Sequence, residues 1–321
     1  MLRREGYPEL RGREPMPRVV IVGDQNSGKT TFLGLLYAAQ VKFGSDKADG
    51  FRFHAAFESL DEISGVFQRL MSGSFPDAAT KEGVREIAFR LSHRRTGLGI
   101  LSHRRSRGSS PESSASFQLI LLKSFEDEMA RSRERGSVDQ RTLSSALTGD
   151  AIVIMVDATS LAAADEEGEL APLGKYDEAV ASLLMAVQRS RDQAQDKFLH
   201  PIFVLSKFDR VDPEVLRRVD LDAAPPDASK KGPHAEYAKR LVDPSMPKTM
   251  AAIRSGGRRG LHFATPSYFF SWVRTDEPAP GRDERLRLRR RGAVGWEPDY
   301  PSDEYLAFLE CLAGIAADTR A

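Results

Sequence analysis

The sequence predicts an α/β fold, a three-layer sandwich whose mostly parallel sheet carries one antiparallel edge strand. Three observations predict it. Short apolar runs at Val19-Val20-Ile21-Val22, Ala151 to Val156 and Pro201-Ile202-Phe203-Val204-Leu205 read as strands buried on both faces. Segments of helical periodicity alternate with them, at Thr31 to Ala39 and Lys175 to Ala194, the rhythm of parallel strands joined by helical crossovers. Between the first two runs, Val84 to Leu91 alternates polar and apolar residues and reads as a strand whose partner is Phe117 to Leu122.

In chain order, residues 1–17 form an irregular, proline-bearing lead-in, and residues 18–321 read as one domain. After the first strand and helix, Ser59-Leu60-Asp61-Glu62 has the capping-box pattern, followed by an apolar stripe at Leu60, Ile63, Phe67, Leu70 and Met71 that stops near Gly73. A Ser/Arg/Gly-rich insertion at about 92–116 follows, in which Leu101-Ser102-His103-Arg104-Arg105 repeats Leu91-Ser92-His93-Arg94-Arg95 at its start, and it reads as a solvated hairpin tip. Residues 234–254 read as a helix interrupted by Pro244 and Pro247, and Leu261 to Thr265 as a further strand. A basic hairpin is expected at about 268–295, and the chain closes on a helix capped by Ser302.

Composition narrows the class. With 321 residues, 40% hydrophobic and 29% charged, the chain has the make-up of a globular protein. No run approaches the roughly 18 apolar residues that cross a bilayer, so a cytoplasmic protein without a transmembrane segment is expected. One cysteine, Cys311, excludes a disulfide framework and a thiolate zinc site within the chain. The net charge of +1 points to no partner by itself.

The chemistry is concentrated in the turn after the first strand. Gly23-Asp24-Gln25-Asn26-Ser27-Gly28-Lys29-Thr30 matches the phosphate-cradling pattern G-x-x-x-x-G-K-[ST] at each fixed position. The two glycines let the backbone N–H groups converge on an anion, and Lys29 adds a point charge for the outer phosphates. Thr30 offers a hydroxyl to Mg2+, and the helix beginning near Thr31 aims its positive end at the same place. A second element, Ser206-Lys207-Phe208-Asp209, closes a buried strand. It resembles the N-K-x-D element of GTPases, with Ser206 in place of Asn. There the carboxylate accepts from both N–H donors on the guanine edge, and the lysine stem covers the base.

With both elements present the chain resembles the TRAFAC class of P-loop GTPases, in particular the bacterial double-GTPase-like branch, over about residues 18–270. The resemblance implies a P-loop NTPase sandwich, GTP or GDP with Mg2+ as ligand, and a regulatory switch that acts with a protein partner or activator. It makes Phe75-Pro76-Asp77-Ala78-Ala79-Thr80 a switch I segment whose Thr80 meets Mg2+ and the outer phosphate beside Lys29. It places the base-stacking side opposite Lys207 in a loop after Leu261 to Thr265, with Ser267 as candidate. It makes Asn26 a candidate ligand for K+, although Asn is also a good turn residue. The sequence departs from the family after the strand ending at Leu122. There Lys123 and Glu126 stand where D-x-x-G is expected, so slow or partner-dependent hydrolysis follows.

Two alternatives stay open. Asp157, after an apolar strand, fits the Walker B pattern of an ATPase or phosphotransferase. A non-hydrolysing, nucleotide-gated interaction module is the other. The alternation Arg285, Arg287, Arg289 fits either a charged edge strand or an anion-binding face, and without an RNA-binding pattern nucleic acid is not the expected partner.

Overall fold

The computed structural model describes residues 17–43, 51–55, 57–76, 84–94, 112–122, 149–164, 169–191, 198–255, 262–276, 284–291 and 295–318. The lead-in up to residue 16, Thr80, the tip of the insertion, Lys123 and Glu126 lie outside the described residues.

The apolar run after the lead-in becomes β1 (Arg18–Gly23), the middle of an eight-stranded sheet. It pairs in parallel with β4 (Glu112–Leu122) on one side and with β5 (Ala151–Asp157) on the other. Beyond β5 lies β6 (Phe198–Ser206), whose outer edge is shared by β7 (His262–Phe263) and β8 (Ser267–Ser271). On the opposite flank β3 (Val84–Arg94) pairs with β4 as expected, antiparallel and with Phe89 in register with Phe117. The strand of opposite direction sits one place in from the edge, because β2 (Phe51–Ala55) pairs outside it.

Because side chains alternate along a strand, β1 feeds both faces of the sheet. Val20 and Val22 join the layer containing α3 (Lys175–Arg191), α4 (Pro213–Arg218), α5 (Lys231–Ser245) and α6 (Pro247–Ser255). Val19 and Ile21 join the layer containing α1 (Lys29–Phe43), α2 (Phe57–Met71) and α7 (Ser302–Asp318). Helix, sheet and helix make the three layers. Helix α2 starts two residues before Ser59, so the capping-box residues fall in its first turn. Its face meets α1 at Gly34, where a Cβ would lie 2.5 Å from Leu70 Cδ1 and 2.6 Å from Val66 Cγ1. Only glycine permits that approach.

Among the described residues of the expected strand at Leu261 to Thr265, His262 and Phe263 form β7, and the ladder resumes as β8. Pro266, which has no N–H to give, separates them. Tyr268, Phe269 and Phe270 are consequently buried in the main sheet. Residues 268–271 of the expected basic hairpin belong to β8, and the hairpin among the described residues pairs β9 (Leu288–Arg291) antiparallel with β10 (Gly295–Pro298).

Buried polar groups tie the layers together. Asp177 of α3 caps α6, accepting from Lys248 N at 2.9 Å and Thr249 N at 2.8 Å. A carboxylate at a helix N-terminus satisfies donors the helix leaves open and complements its dipole. Glu304 of α7 accepts the Phe270 N–H of β8 at 3.0 Å through one oxygen and meets His234 Nε2 of α5 at 2.8 Å through the other.

Candidate nucleotide site

The site begins where β1 stops. Gly23 is fixed by crowding, since a Cβ there would lie 2.6 Å from Ser27 Oγ and 2.8 Å from Met155 Cβ. The loop then doubles back, with Ser27 N donating to Asp24 O at 3.1 Å. Asn26 (φ 65°) and Gly28 (φ 82°) both lie in the left-handed region. Gly adopts it freely and Asn tolerates it, so this backbone turn alone accounts for the presence of Asn26. Helix α1 starts at Lys29, directly after the turn, and Phe32 N closes its first bond onto Gly28 O at 2.8 Å. Phe32 anchors that end against Phe308, rings edge to face at 5.1 Å.

Lys29 is buried and folded back on its own loop. Its Nζ donates to Gly23 O at 2.7 Å, Asp24 O at 2.6 Å and Ser27 Oγ at 3.3 Å. Burial pulls its pKa from 10.5 down to about 8, partly offset by the Asp24 carboxylate. The ammonium is thus aimed at the loop and held by weak acceptors that a phosphate oxygen can replace.

The ends of β6 and β8 form the facing wall. Ser206 lies opposite Asp157 across β5 and β6, and its Oγ donates to Val156 O at 3.2 Å. A Cβ on Gly28 would come within 3.8 Å of Ser206 Cβ, so this strand end meets the loop closely. Lys207 turns the chain with φ 52°, and its Nζ donates to Asp157 Oδ2 at 2.5 Å. Asp157 also accepts from Thr159 N at 3.1 Å and Thr159 Oγ1 at 2.7 Å. Asp209 follows in a short 3-10 turn, exposed toward the cavity. Desolvation by its surroundings raises its pKa above the ordinary value of 3.8, while the neighbouring Arg210 opposes the rise.

These elements enclose a cavity of about 700 Å³. Its lining brings together Gln25, Asn26, Ser27, Gly28, Lys29, Thr30 and Thr31 from the loop side and Ser206, Lys207 and Asp209 from the strand side. Phe75 and Pro76, from the segment leading to Thr80, line it as well. Gly23 and Asp24 form the loop's base, and their carbonyls hold Lys29. Ser267 is elsewhere. It pairs with Ile202 at the start of β8, four positions before the cavity end of the strand, and Cys311 Sγ donates to its Oγ at 3.5 Å. The residues at the expected place are Ser271, Trp272 and Val273, with Arg210 and Glu284 beside them. Their signal was the apolar run Tyr268-Phe269-Phe270 ending in Ser271, the last parallel strand of the sheet. Asp157 does not line the cavity.

A glycine loop between a buried central strand and a helix, with β4 and β5 parallel on either side, decides the architecture. This is a P-loop NTPase fold. No protein-family model matches the chain, and no curated protein matches it. Among solved structures it is similar to the signal recognition particle receptor SRb-GTP/SRX complex from Chaetomium thermophilum, with 14% identity, 83% of this chain and 94% of that one covered, and a TM-score of 0.36. It is also similar to the S. cerevisiae Ski7 GTPase-like domain. The GTP-bound form gives 14% identity, coverage of 79% and 43%, and a TM-score of 0.32, and the form with GDP and inorganic phosphate gives 13%, the same coverage and 0.29.

The Lys29 shift has a measurable consequence for any polyphosphate ligand. Anionic oxygens hold the ammonium form, so binding takes up a proton once the free lysine has lost one. Affinity is expected to fall by up to about tenfold per unit as pH rises beyond about 8. Dissociation constants measured across that range check it, and a flat profile counts against Lys29 as the phosphate contact.

Proposed function

We propose that the chain is a guanine-nucleotide-binding regulatory GTPase, a switch of the double-GTPase-like kind, that hydrolyses GTP slowly or only with a protein partner. One observation carries this reading. The phosphate loop and Lys207–Asp209 wall the same cavity, so one ligand with phosphates at one end and a guanine edge at the other meets both. Asp209 is the acceptor for the paired N–H donors of guanine, an arrangement adenine lacks. Lys207, held by Asp157, presents its stem to the base.

The residues also fit Mg2+ and a polyphosphate. The left-handed Asn26 and Gly28 turn the loop into a concave nest, and Thr30 lies at the start of α1 on the cavity wall. Thr30 would hold Mg2+, with Thr80 joining it, and the ion supplies charge neutralisation at the outer phosphates. Asn26, which the left-handed turn already requires, would also offer its side-chain oxygen to K+. Slow turnover rests on Lys123 and Glu126, which replace the acidic and glycine positions of D-x-x-G.

The partner belongs to the proposal too, and two arginines of the basic stretch are already committed within the chain. Arg287 is paired with Asp276 at 3.3 Å, and Arg289 with Glu297 at 3.1 Å and Asp299 at 3.3 Å. These are the contacts of a charged hairpin holding its own shape.

The decisive experiment is a titration with GTP, GDP and ATP in Mg2+, followed by single-turnover hydrolysis in KCl and in NaCl. Guanine nucleotides are expected to bind at least about 10²-fold more tightly than ATP, as a polar site that reads paired donors rejects a ligand lacking them. Turnover is expected well below about 1 s⁻¹ without a partner. Equal binding of ATP and GTP overturns the guanine reading, and fast unassisted turnover overturns the slow switch.

A further inference from the structure

Two arginines and the Glu284 carboxylate act electrostatically on the acceptor proposed for guanine. Arg210 is the next residue in the chain, and Arg274 also lowers the Asp209 pKa through its charge. A guanidinium presents two parallel N–H donors, the same edge that guanine presents with its ring N–H and exocyclic amine. Either arginine is therefore a tethered mimic of the ligand. Yet the Asp209 carboxylate bonds its own backbone N–H and has no other hydrogen-bond or ion-pair partner among the described residues.

Both cations are engaged elsewhere. Arg210 Nη2 donates to the Glu284 carboxylate and to Thr275 Oγ1, the latter at 3.1 Å. Arg274 turns to Asp299, 3.8 Å away, and its backbone N–H donates to Asp299 O at 2.9 Å. Glu284 is itself held in place. Its chain neighbours Arg285 and Leu286 bond back to Asp276 and Gly73, each at 2.9 Å. The Arg210 and Glu284 side chains remain 39% and 37% exposed, so the pair contributes little to stability.

We infer that Glu284 is a positioning residue that holds Arg210 away from Asp209 and so keeps the guanine acceptor open. The inference rests on the guanine reading of this cavity. Without Glu284, Arg210 falls back on the adjacent carboxylate, and GTP must displace it before binding.

The test is equilibrium competition of GTP and ITP against a fluorescent guanine nucleotide. The proteins are the wild type, Glu284→Ala, Glu284→Gln and the double variant Glu284→Ala with Arg210→Ala. Removing Glu284 is expected to weaken GTP binding about fivefold, the size of a half-exposed ion pair redirected to a competing site. ITP lacks the exocyclic amine and depends less on Asp209, so the GTP-to-ITP ratio falls. Removing Arg210 in the same chain restores GTP binding. The Gln variant keeps the shape without the charge, and it decides the matter if the Ala variant melts early.

GTP affinity unchanged in both single variants overturns the inference, as does a double variant no better than Glu284→Ala. A wild-type protein that binds GTP and ATP alike overturns the guanine reading, and this inference with it.

Discussion

Lys29→Ala is expected to lower the affinity for nucleoside triphosphates by about 10²- to 10³-fold, the cost of truncating one partner of a buried, charge-assisted contact. Lys29 is 8% exposed and its ammonium already points into the loop. The ligand-free fold should survive. Folding lowers the Lys29 pKa from 10.5 to about 8, so near neutral pH the charge works against folding, and that penalty fades as pH rises from about 8 toward 10.5. The variant should therefore melt close to the wild type without ligand and lose the upward shift that GTP gives the wild type. A retained shift would mean that the phosphates bind elsewhere.

Asp209→Asn is expected to cost about 10²-fold in GTP affinity and to erase the preference over ATP. The amide sets a donor against the two guanine donors, and a mispaired, partly desolvated polar group carries a penalty as well as a lost bond. Xanthine nucleotides, which carry a carbonyl where guanine has its amine, should gain. Competition among GTP, ATP and XTP on the two proteins measures it. An unchanged GTP-over-ATP preference would show that Asp209 does not read the base.

Much of the architecture was legible because burial on both faces leaves a plain trace. Val19 to Val22, Ala151 to Val156 and Pro201 to Leu205 could hardly be anything but inner strands, and the fixed positions from Gly23 to Thr30 left one local geometry. What escaped had weaker signals. β2, Phe51–Ala55, is too short to show a period, and its pairing with β3 is a property of the sheet rather than the segment. Helix α4 was announced only by Asp212-Pro213, a cap and an N-terminal proline, where Asp212 accepts from Glu214 N at 2.8 Å.

The site was half legible for a related reason. Lys29, Thr30 and Asp209 lie in motifs whose spacing is fixed along the chain. Trp272, Arg210 and Glu284 meet only because β8 lies beside β6 and the segment around residue 284 folds back on Thr275. Ser267 was misplaced by one strand assignment. Starting that strand before Pro266 rather than after it moved the expected loop from the cavity end of β8 to its opposite end.

An outer strand is a row of open backbone donors and acceptors, a template on which a foreign strand can add. On the flank of the sheet that carries the base-reading residues, the Glu304 carboxylate occupies one of those rungs at Phe270. An arriving strand would have to displace a buried carboxyl group already bonded to His234 as well. Sheet growth and aggregation are thereby discouraged next to Ser206 and Ser271, where an added strand would crowd the cavity. This protection is supplied by α7, so the C-terminal helix guards the edge of the sheet as well as filling its core.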